Sequence, residues 1–368
     1  MKTTIILGAG ATRGASTVNP QVVPPLLGDL PGIVSSKLLS LNQSPDGPEF
    51  AKGFNDLLDL TETRNDVETY LTVLHILGLI SREINPDLVF INDNEIKEVL
   101  EGSILQNRFD EIRLEKIARK ILEYFLSNKK MVLVNCPFNF QSLFQSSLRE
   151  YMHHSLTNCF CRYHEKLFAR LKEDDYVVNF NYDEVGDFTL FAMNRLSRLS
   201  FDGLPFAKIE FPKNVSSDCI SIKYLKVHGS FSWSTDINRP DIVCCNLISQ
   251  ASDKKMIGNT FFPIILPTLT KELIYMQYPI FASHIKEFSK SLEDPDIIYL
   301  VGKSFLNSDY MLNKMIGRQR SKTRCHLIII DPNCTDSDFV DYHQNLFNGK
   351  CVEQFLKLED YFHEKRFG

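Results

Sequence analysis

A parallel α/β sheet carrying a large helical insertion is the fold class this sequence predicts, and three observations predict it. Thr3–Leu7 is a continuous apolar run that ends in Gly8-Ala9-Gly10. Continuous rather than alternating apolar character suits a parallel strand buried on both faces. Further apolar, β-branched segments recur late in the chain, at 176–180, 220–227, 261–266, 297–301 and 327–330, and helical patterns at 183–198, 271–292 and 308–320 fit between them. Alternating strand and helix argues for a parallel sheet. The third observation is a change of texture over 54–172, where helical spacing dominates and one short strand, at 131–134, is expected.

Taken in order, the Pro-rich stretch 18–32 and the segment 42–53 (NQSPDGPEFAKG) read as loops. The proline content after the first strand also argues against a helix opening there. Asn65-Asp66-Val67-Glu68 reads as a capping box with Asn65 at the N-cap and Glu68 three residues on. Residues 111–127 and 141–172 follow as helices by period and by their lack of Gly and Pro. The expected organisation is a sheet domain built from 1–53 and 173–368, with 54–172 as the insertion.

Composition narrows the function classes. The chain has 368 residues, 43% of them hydrophobic, enough for about two domains or one large elaborated domain. Its 41 basic and 46 acidic residues leave a net charge of −5, which gives bulk electrostatics no part in holding nucleic acid. The nine cysteines include no CxxC pair, so reduced thiols in a cytoplasm are expected rather than a disulfide framework. The apolar start is too short for a signal peptide, and no window approaches the ~18 apolar residues of a membrane span.

Five segments carry candidate chemistry, each just past an apolar strand. Gly8-Ala9-Gly10-Ala11-Thr12-Arg13-Gly14 spaces its glycines as GxGxxxG, and such a turn lets backbone N–H groups approach a pyrophosphate; the plainer reading is a tight turn. Asn179-Phe180-Asn181-Tyr182-Asp183 places short polar side chains at a strand end, where Asp183 could equally start the next helix. His228, in His228-Gly229-Ser230-Phe231-Ser232-Trp233, can serve as a base near neutral pH or be a packed structural histidine. Gly302-Lys303-Ser304 and Asp331-Pro332-Asn333 complete the set. Asp29 stands about where a dehydrogenase holds ribose, but it follows Pro24-Pro25 and not a second strand, which argues against hydride transfer. Cys159, Cys161 and His164 lack a second metal-ligand pair and read as buried helical cysteines with an exposed histidine.

The order GAG-x-[ST], x-x-N-x-D, HGS, G-x-S and a late strand-end Asn resembles the sirtuin (SIR2) superfamily over residues 3 to about 333. The forms FNYD and HGSxxW resemble its SIR2-like branch of NAD hydrolases in bacterial anti-phage defence. The resemblance implies a Rossmann-like SIR2 fold and NAD as substrate. It implies Asn181, His228 and Asp183 as catalytic residues. Gly8, Ala9, Gly10, Ala11, Thr12, Arg13, Gly302, Ser304 and Asn333 would bind the dinucleotide. Sirtuin deacylases carry a zinc ribbon of two CxxC pairs and a Phe-Arg clamp, and this chain has neither, so no metal is expected and deacylation is disfavoured. The competing readings are an NAD-dependent deacylase or ADP-ribosyltransferase, and a non-catalytic NAD- or ADP-ribose-binding subunit. The resemblance further implies control by homo-oligomerisation or by a partner such as a HerA-type ATPase or a short Argonaute, while composition leads us to expect no membrane and no direct nucleic-acid contact.

Overall fold

The computed structural model describes residues 1–13, 27–40, 47–64, 66, 68–73, 111–127, 148, 151, 160–196, 200, 206–210, 222–236, 239–246, 260–261, 264–265, 271, 279–303, 305, 309–319 and 325–364. Two compact units emerge. One comprises 1–24, 152–265 and 272–368, and the other 25–151 with 266–271.

The first unit is built on a six-stranded parallel sheet of β1 (Thr3–Leu7), β2 (Tyr176–Asn179), β4 (Lys223–Lys226), β8 (Ile297–Val301), β9 (Cys325–Ile330) and β10 (Gly349–Phe355). Across the sheet the order is β4-β2-β1-β8-β9-β10, every pairing parallel. Renumbered by chain position this is 3-2-1-4-5-6, the doubly wound Rossmann order, whose reversal of direction falls between β1 and β8. The central strands are apolar because both their faces are covered. Ile5, Ile6, Leu7, Val177, Val178, Leu300 and Ile329 are all buried, each contributing roughly 1.5–3 kcal/mol by leaving water. Helices α5 (Arg162–Phe168), α6 (Val185–Ala192), α7 (Pro279–Ser291), α8 (Tyr310–Arg318), α9 (Ser337–Phe347) and α10 (Leu358–Glu364) belong to this unit.

A second, four-stranded sheet in the same unit has the order β3-β6-β5-β7, formed by Phe206–Glu210, Arg239–Asn246, Trp233–Asp236 and Thr260–Phe261. The apolar segment at 261–266, expected as a strand of the main sheet, instead contributes Thr260–Phe261 to this one, antiparallel to β5. Ile264 bridges back to Gly229, and 262, 263 and 266 lie outside the described residues.

Several loop expectations are corrected. Leu27–Asp29 is a 3-10 turn leading into α2 (Leu30–Ser40), and α3 spans Gly47–Leu60, so parts of 18–32 and 42–53 are helical. Pro31 and Pro48 sit in first helical turns, where the missing N–H has no intrahelical partner to lose. A short helix, α1 (Ala9–Arg13), does open directly after β1. Within the expected helix 141–172, residues 160–161 are not helical, α5 runs only from Arg162 to Phe168, and turns follow before β2. At the capping box, Asn65 lies outside the described residues, and Asp66 is the residue that caps: its carboxylate accepts from the Thr69 N–H at 3.2 Å. In the second unit the expected helix 111–127 forms as α4 (Glu111–Ser127); the strand expected at 131–134 lies outside the described residues. No helix among the described residues is long and apolar enough to cross a membrane.

Candidate functional site

The carboxyl ends of β1 and β8 meet at the switch point of the sheet, where ligands of doubly wound folds bind. Three glycines pack there backbone against backbone. A Cβ on Gly8 would lie 2.3 Å from the Gly302 carbonyl oxygen, and one on Gly10 2.9 Å from the Gly302 Cα. Gly302 has φ +56° and would drive a Cβ to 2.2 Å from the Ala11 nitrogen. Main-chain bonds lace the ends together: Gly8 N–H to Val301 O at 2.9 Å, Gly10 N–H to Gly302 O at 3.1 Å, and Gly302 N–H to Ile330 O at 2.8 Å. The need for glycine at these positions thus comes first from the protein's own backbone. Of the flanking candidates, Ala9 is exposed, Ala11 and Thr12 are buried and Arg13 is the last residue of α1.

Asn181, one strand over, is anchored to this floor. Its Nδ2 donates to Gly8 O at 2.9 Å and to Thr12 Oγ1 at 3.0 Å, and its backbone N–H donates to Asn179 Oδ1 at 2.8 Å. Thr12 Oγ1 in turn donates to Asp183 Oδ2 at 3.3 Å, while Asp183 Oδ1 accepts from the Val185 N–H at 3.0 Å. Asn179 Nδ2 donates to Tyr224 Oη at 2.9 Å, and Tyr224 donates to Asp187 Oδ2 at 2.6 Å. Lys226 Nζ reaches Asp187 Oδ2 at 3.0 Å and the Asp183 carbonyl. The result is a closed ring: Asn181, Asn179, Tyr224, Asp187, Lys226, Asp183, Thr12 and back to Asn181. Lys226 is 0% and Asp187 2% exposed. Both oxygens of Asp183 are engaged, and burial holds its carboxyl above the ordinary range, against the opposing pull of Lys226. Among the described residues no protein donor reaches Asn181 Oδ1.

His228 stands where the chain leaves the main sheet for the second one. Gly229, with φ +83°, makes the turn, its N–H bonding to Lys226 O at 3.0 Å. The His228 carbonyl accepts from the Ile265 N–H at 2.8 Å. The imidazole packs edge-on to Phe180 with ring centroids 5.0 Å apart. Its Nε2 lies 3.8 Å from Asp309 Oδ1, and Asp309 Oδ2 holds Lys303 Nζ at 2.5 Å. Lys303 Nζ also sits 4.6 Å from the Phe180 ring centroid. Phe180 and Lys303 connect this corner to the first, since Phe180 lies between Asn179 and Asn181 and the Lys303 Cα would meet a Cβ on Gly8 at 2.6 Å. Trp233 is buried against His284 with centroids 5.1 Å apart, a packing role. Ser304 lies outside the described residues. Asn333 is exposed in the turn after β9, where its N–H bonds to Asp331 Oδ1 at 2.9 Å.

The sequence reading missed several members: Lys226, Asp187 and Tyr224 in the ring, Lys303 and Asp309 beside His228, and His164. His164, expected to be exposed, is 1% exposed. Cys161 is the N-cap of α5 and not a helical residue, its Sγ accepting from the His164 N–H at 3.4 Å. Burial would push the Cys161 thiol up and the His164 imidazole down. Burial is the largest single influence on each, but their mutual charge, the hydrogen bond between them and nearby backbone hydrogen bonds together outweigh it, so the thiol is held below and the imidazole above its ordinary value. Asp183 adds to the effect on His164, which ties this pair to the ring. Among the described residues no group of three or more His, Cys, Asp or Glu is arranged to hold a metal ion.

What fold and site establish is a class: a Rossmann-like parallel α/β domain with a polar cluster at its switch point. No protein-family model matches the chain, and no curated protein matches it.

Proposed function

We propose that the chain hydrolyses NAD to nicotinamide and ADP-ribose. One observation carries the reading. At the β1/β8 switch point, where dinucleotides bind in this architecture, a side-chain-free glycine floor adjoins an amide whose nitrogen is fixed by Gly8 and Thr12 and whose Oδ1 meets no donor among the described residues. The sequence resemblance to SIR2-like NAD hydrolases supports it independently.

In the proposed reaction the water oxygen bonds to ribose C1′ as the C1′–nicotinamide bond breaks, and that electron pair leaves with nicotinamide. The transition state has oxocarbenium character. His228 takes the proton from water as general base. Asn181, its nitrogen committed to Gly8 and Thr12, offers Oδ1 to a water or a ribose hydroxyl. Asp183 acts through Thr12, fixing Asn181 rather than touching substrate. Gly8, Ala9, Gly10, Ala11, Thr12 and Arg13 cradle the pyrophosphate, with Gly302, Ser304 and Asn333 toward the adenosine end. The biological setting that follows is cytoplasmic NAD depletion in anti-phage defence, restrained by oligomerisation or by a partner such as a HerA-type ATPase or a short Argonaute.

Asn181→Ala tests the reading. An interaction made mainly in the transition state lowers turnover without weakening substrate binding. The variant is expected to bind NAD near wild-type affinity and release nicotinamide far more slowly, measured by calorimetry and turnover on one preparation. A wild-type chain that binds NAD but never releases nicotinamide, even with its genomic neighbour co-expressed, would establish a binding subunit instead. Joint loss of binding and turnover in the variant would make Asn181 a ground-state contact.

A further inference from the structure

Asp309 occupies the N-cap position of α8, where an aspartate ordinarily accepts from the first free N–H groups of its helix. Here its side chain makes no cap hydrogen bond. The carboxylate turns away from the helix instead: Oδ2 holds Lys303 Nζ at 2.5 Å and Oδ1 faces His228 Nε2 at 3.8 Å. All three residues are buried, Asp309 most of all at 3% exposed. The rings of Phe180 and Phe305 flank the ammonium at 4.6 and 4.8 Å, which removes water from its apolar side. A carboxylate that forgoes its helix to stand between a lysine and a histidine is placed for those side chains.

We propose that Asp309 is the positioning residue of His228, and that Lys303 is the counter-charge that shares its carboxylate. The proposal rests on the hydrolase reading for its functional meaning and deepens it. A carboxylate on the Nε2 side favours the tautomer protonated at Nε2 and leaves the lone pair on Nδ1, which makes Nδ1 the nitrogen that accepts the proton from water. The 3.8 Å gap exceeds hydrogen-bond length and lies within ion-pair range. It closes when the imidazole gains its charge, since catalytic hydrogen bonds are often long before substrate binds. Lys303 acts in the opposite sense. By holding Oδ2 it limits how strongly the carboxylate stabilises the imidazolium, so the histidine can give its proton up again.

Other groups face this corner. The Tyr182 ring lies 6.4 Å from the imidazole. On α9, burial raises the Tyr342 phenol, with Asp309 adding to it. His343 is lowered by burial, while Asp331 pulls it up and Lys303 down. These neighbours are common to every variant below, so differences between variants report on Asp309 and Lys303.

The test is a histidine NMR titration of the full chain labelled at imidazole carbon ε1, the His228 signal being the one lost in His228→Gln. Opposite charges within ~4–6 Å shift a titration midpoint by about 1–3 units. Asp309→Asn is expected to lower the His228 midpoint by about one unit or more, and Lys303→Met to raise it by a similar amount. Asp309→Glu is expected to stay near wild type. A purely structural role would not produce shifts of opposite sign. Midpoints unchanged in both charge-removing variants would overturn the proposal. If Asp309→Asn does not fold, Lys303→Met decides alone: a rise supports the pairing and no shift refutes it. The acidic limb of the kcat/KM profile should move with the midpoints. A wild-type chain without turnover would sink the hydrolase reading while leaving the titration result standing.

Discussion

The two polar corners at the carboxyl edge of the sheet are built on different terms. Around Asn181 the links are hydrogen bonds and one buried ion pair, and they close on themselves through Tyr224, Asp187, Lys226, Asp183 and Thr12. Around His228 the central link is a 3.8 Å contact with Asp309 that becomes an ion pair when the imidazole is protonated, with Phe180 edge-on to that ring. A closed ring in low dielectric is rigid, and losing any member leaves its neighbours buried without partners. A contact of that length has room to tighten when charge appears. The difference suggests a division of labour: the ring fixes geometry, and the His228 corner responds to the reaction.

The comparison can be broken by substitution. His228→Ala should have the largest effect on function, lowering nicotinamide release ~10²–10⁴-fold, the usual loss with a general base, while urea unfolding stays cooperative. Wild-type turnover in that folded variant would remove His228 from the responsive corner. Lys226→Met should have the largest effect on the fold. Removing one partner of a buried ion pair costs about 3–5 kcal/mol, because Asp187 and the Asp183 carbonyl are left in the core. Combining it with Asp187→Leu should recover part of that loss. A Lys226→Met chain as stable as wild type in urea would show that the ring is not a framework.

A smaller effect sharpens the same contrast through pH. His284 Nδ1 accepts the Lys226 backbone N–H at 2.9 Å, and burial, helped by Lys226, depresses the imidazole from 6.5 to about 3. A folded pKa below the unfolded one means the native state resists protonation. The stability is therefore fully present above 6.5 and drains away as pH falls toward 3. By about pH 5 the loss from this group is roughly 2 kcal/mol. His284→Gln should flatten the dependence of unfolding free energy on pH between those limits. An unchanged slope would mean that the support behind Lys226 does not titrate.

The sheet was legible in the sequence wherever strands are covered on both faces. Thr3–Leu7 and Ile297–Val301 are continuous apolar runs, and the structure pairs them residue for residue. β10 escaped because it is an edge strand: Lys350, Val352 and Gln354 alternate outward, so no apolar run marks it. α2 and α3 were obscured by Pro31 and Pro48, read as loop signals although first-turn prolines are tolerated. In the site, strand-end residues such as Asn181 and His228 announced themselves by position. Their partners did not. Lys226 and Asp187 look like ordinary charged residues until the fold buries them together, and Asp309 looks like a helix cap. Only the absence of its cap bond reveals another use.

The packing of Gly8, Gly10 and Gly302 also has a consequence for heredity. A single nucleotide change that replaces glycine yields only residues that carry a Cβ, or a stop. At each of these positions that carbon meets main-chain atoms, at 2.3, 2.9 and 2.2 Å respectively. A clash with a side chain can be relieved by a second mutation to something smaller, but a clash with backbone has no smaller neighbour to mutate to. The three codons are therefore locked as a group, and descendants that keep this fold inherit them together.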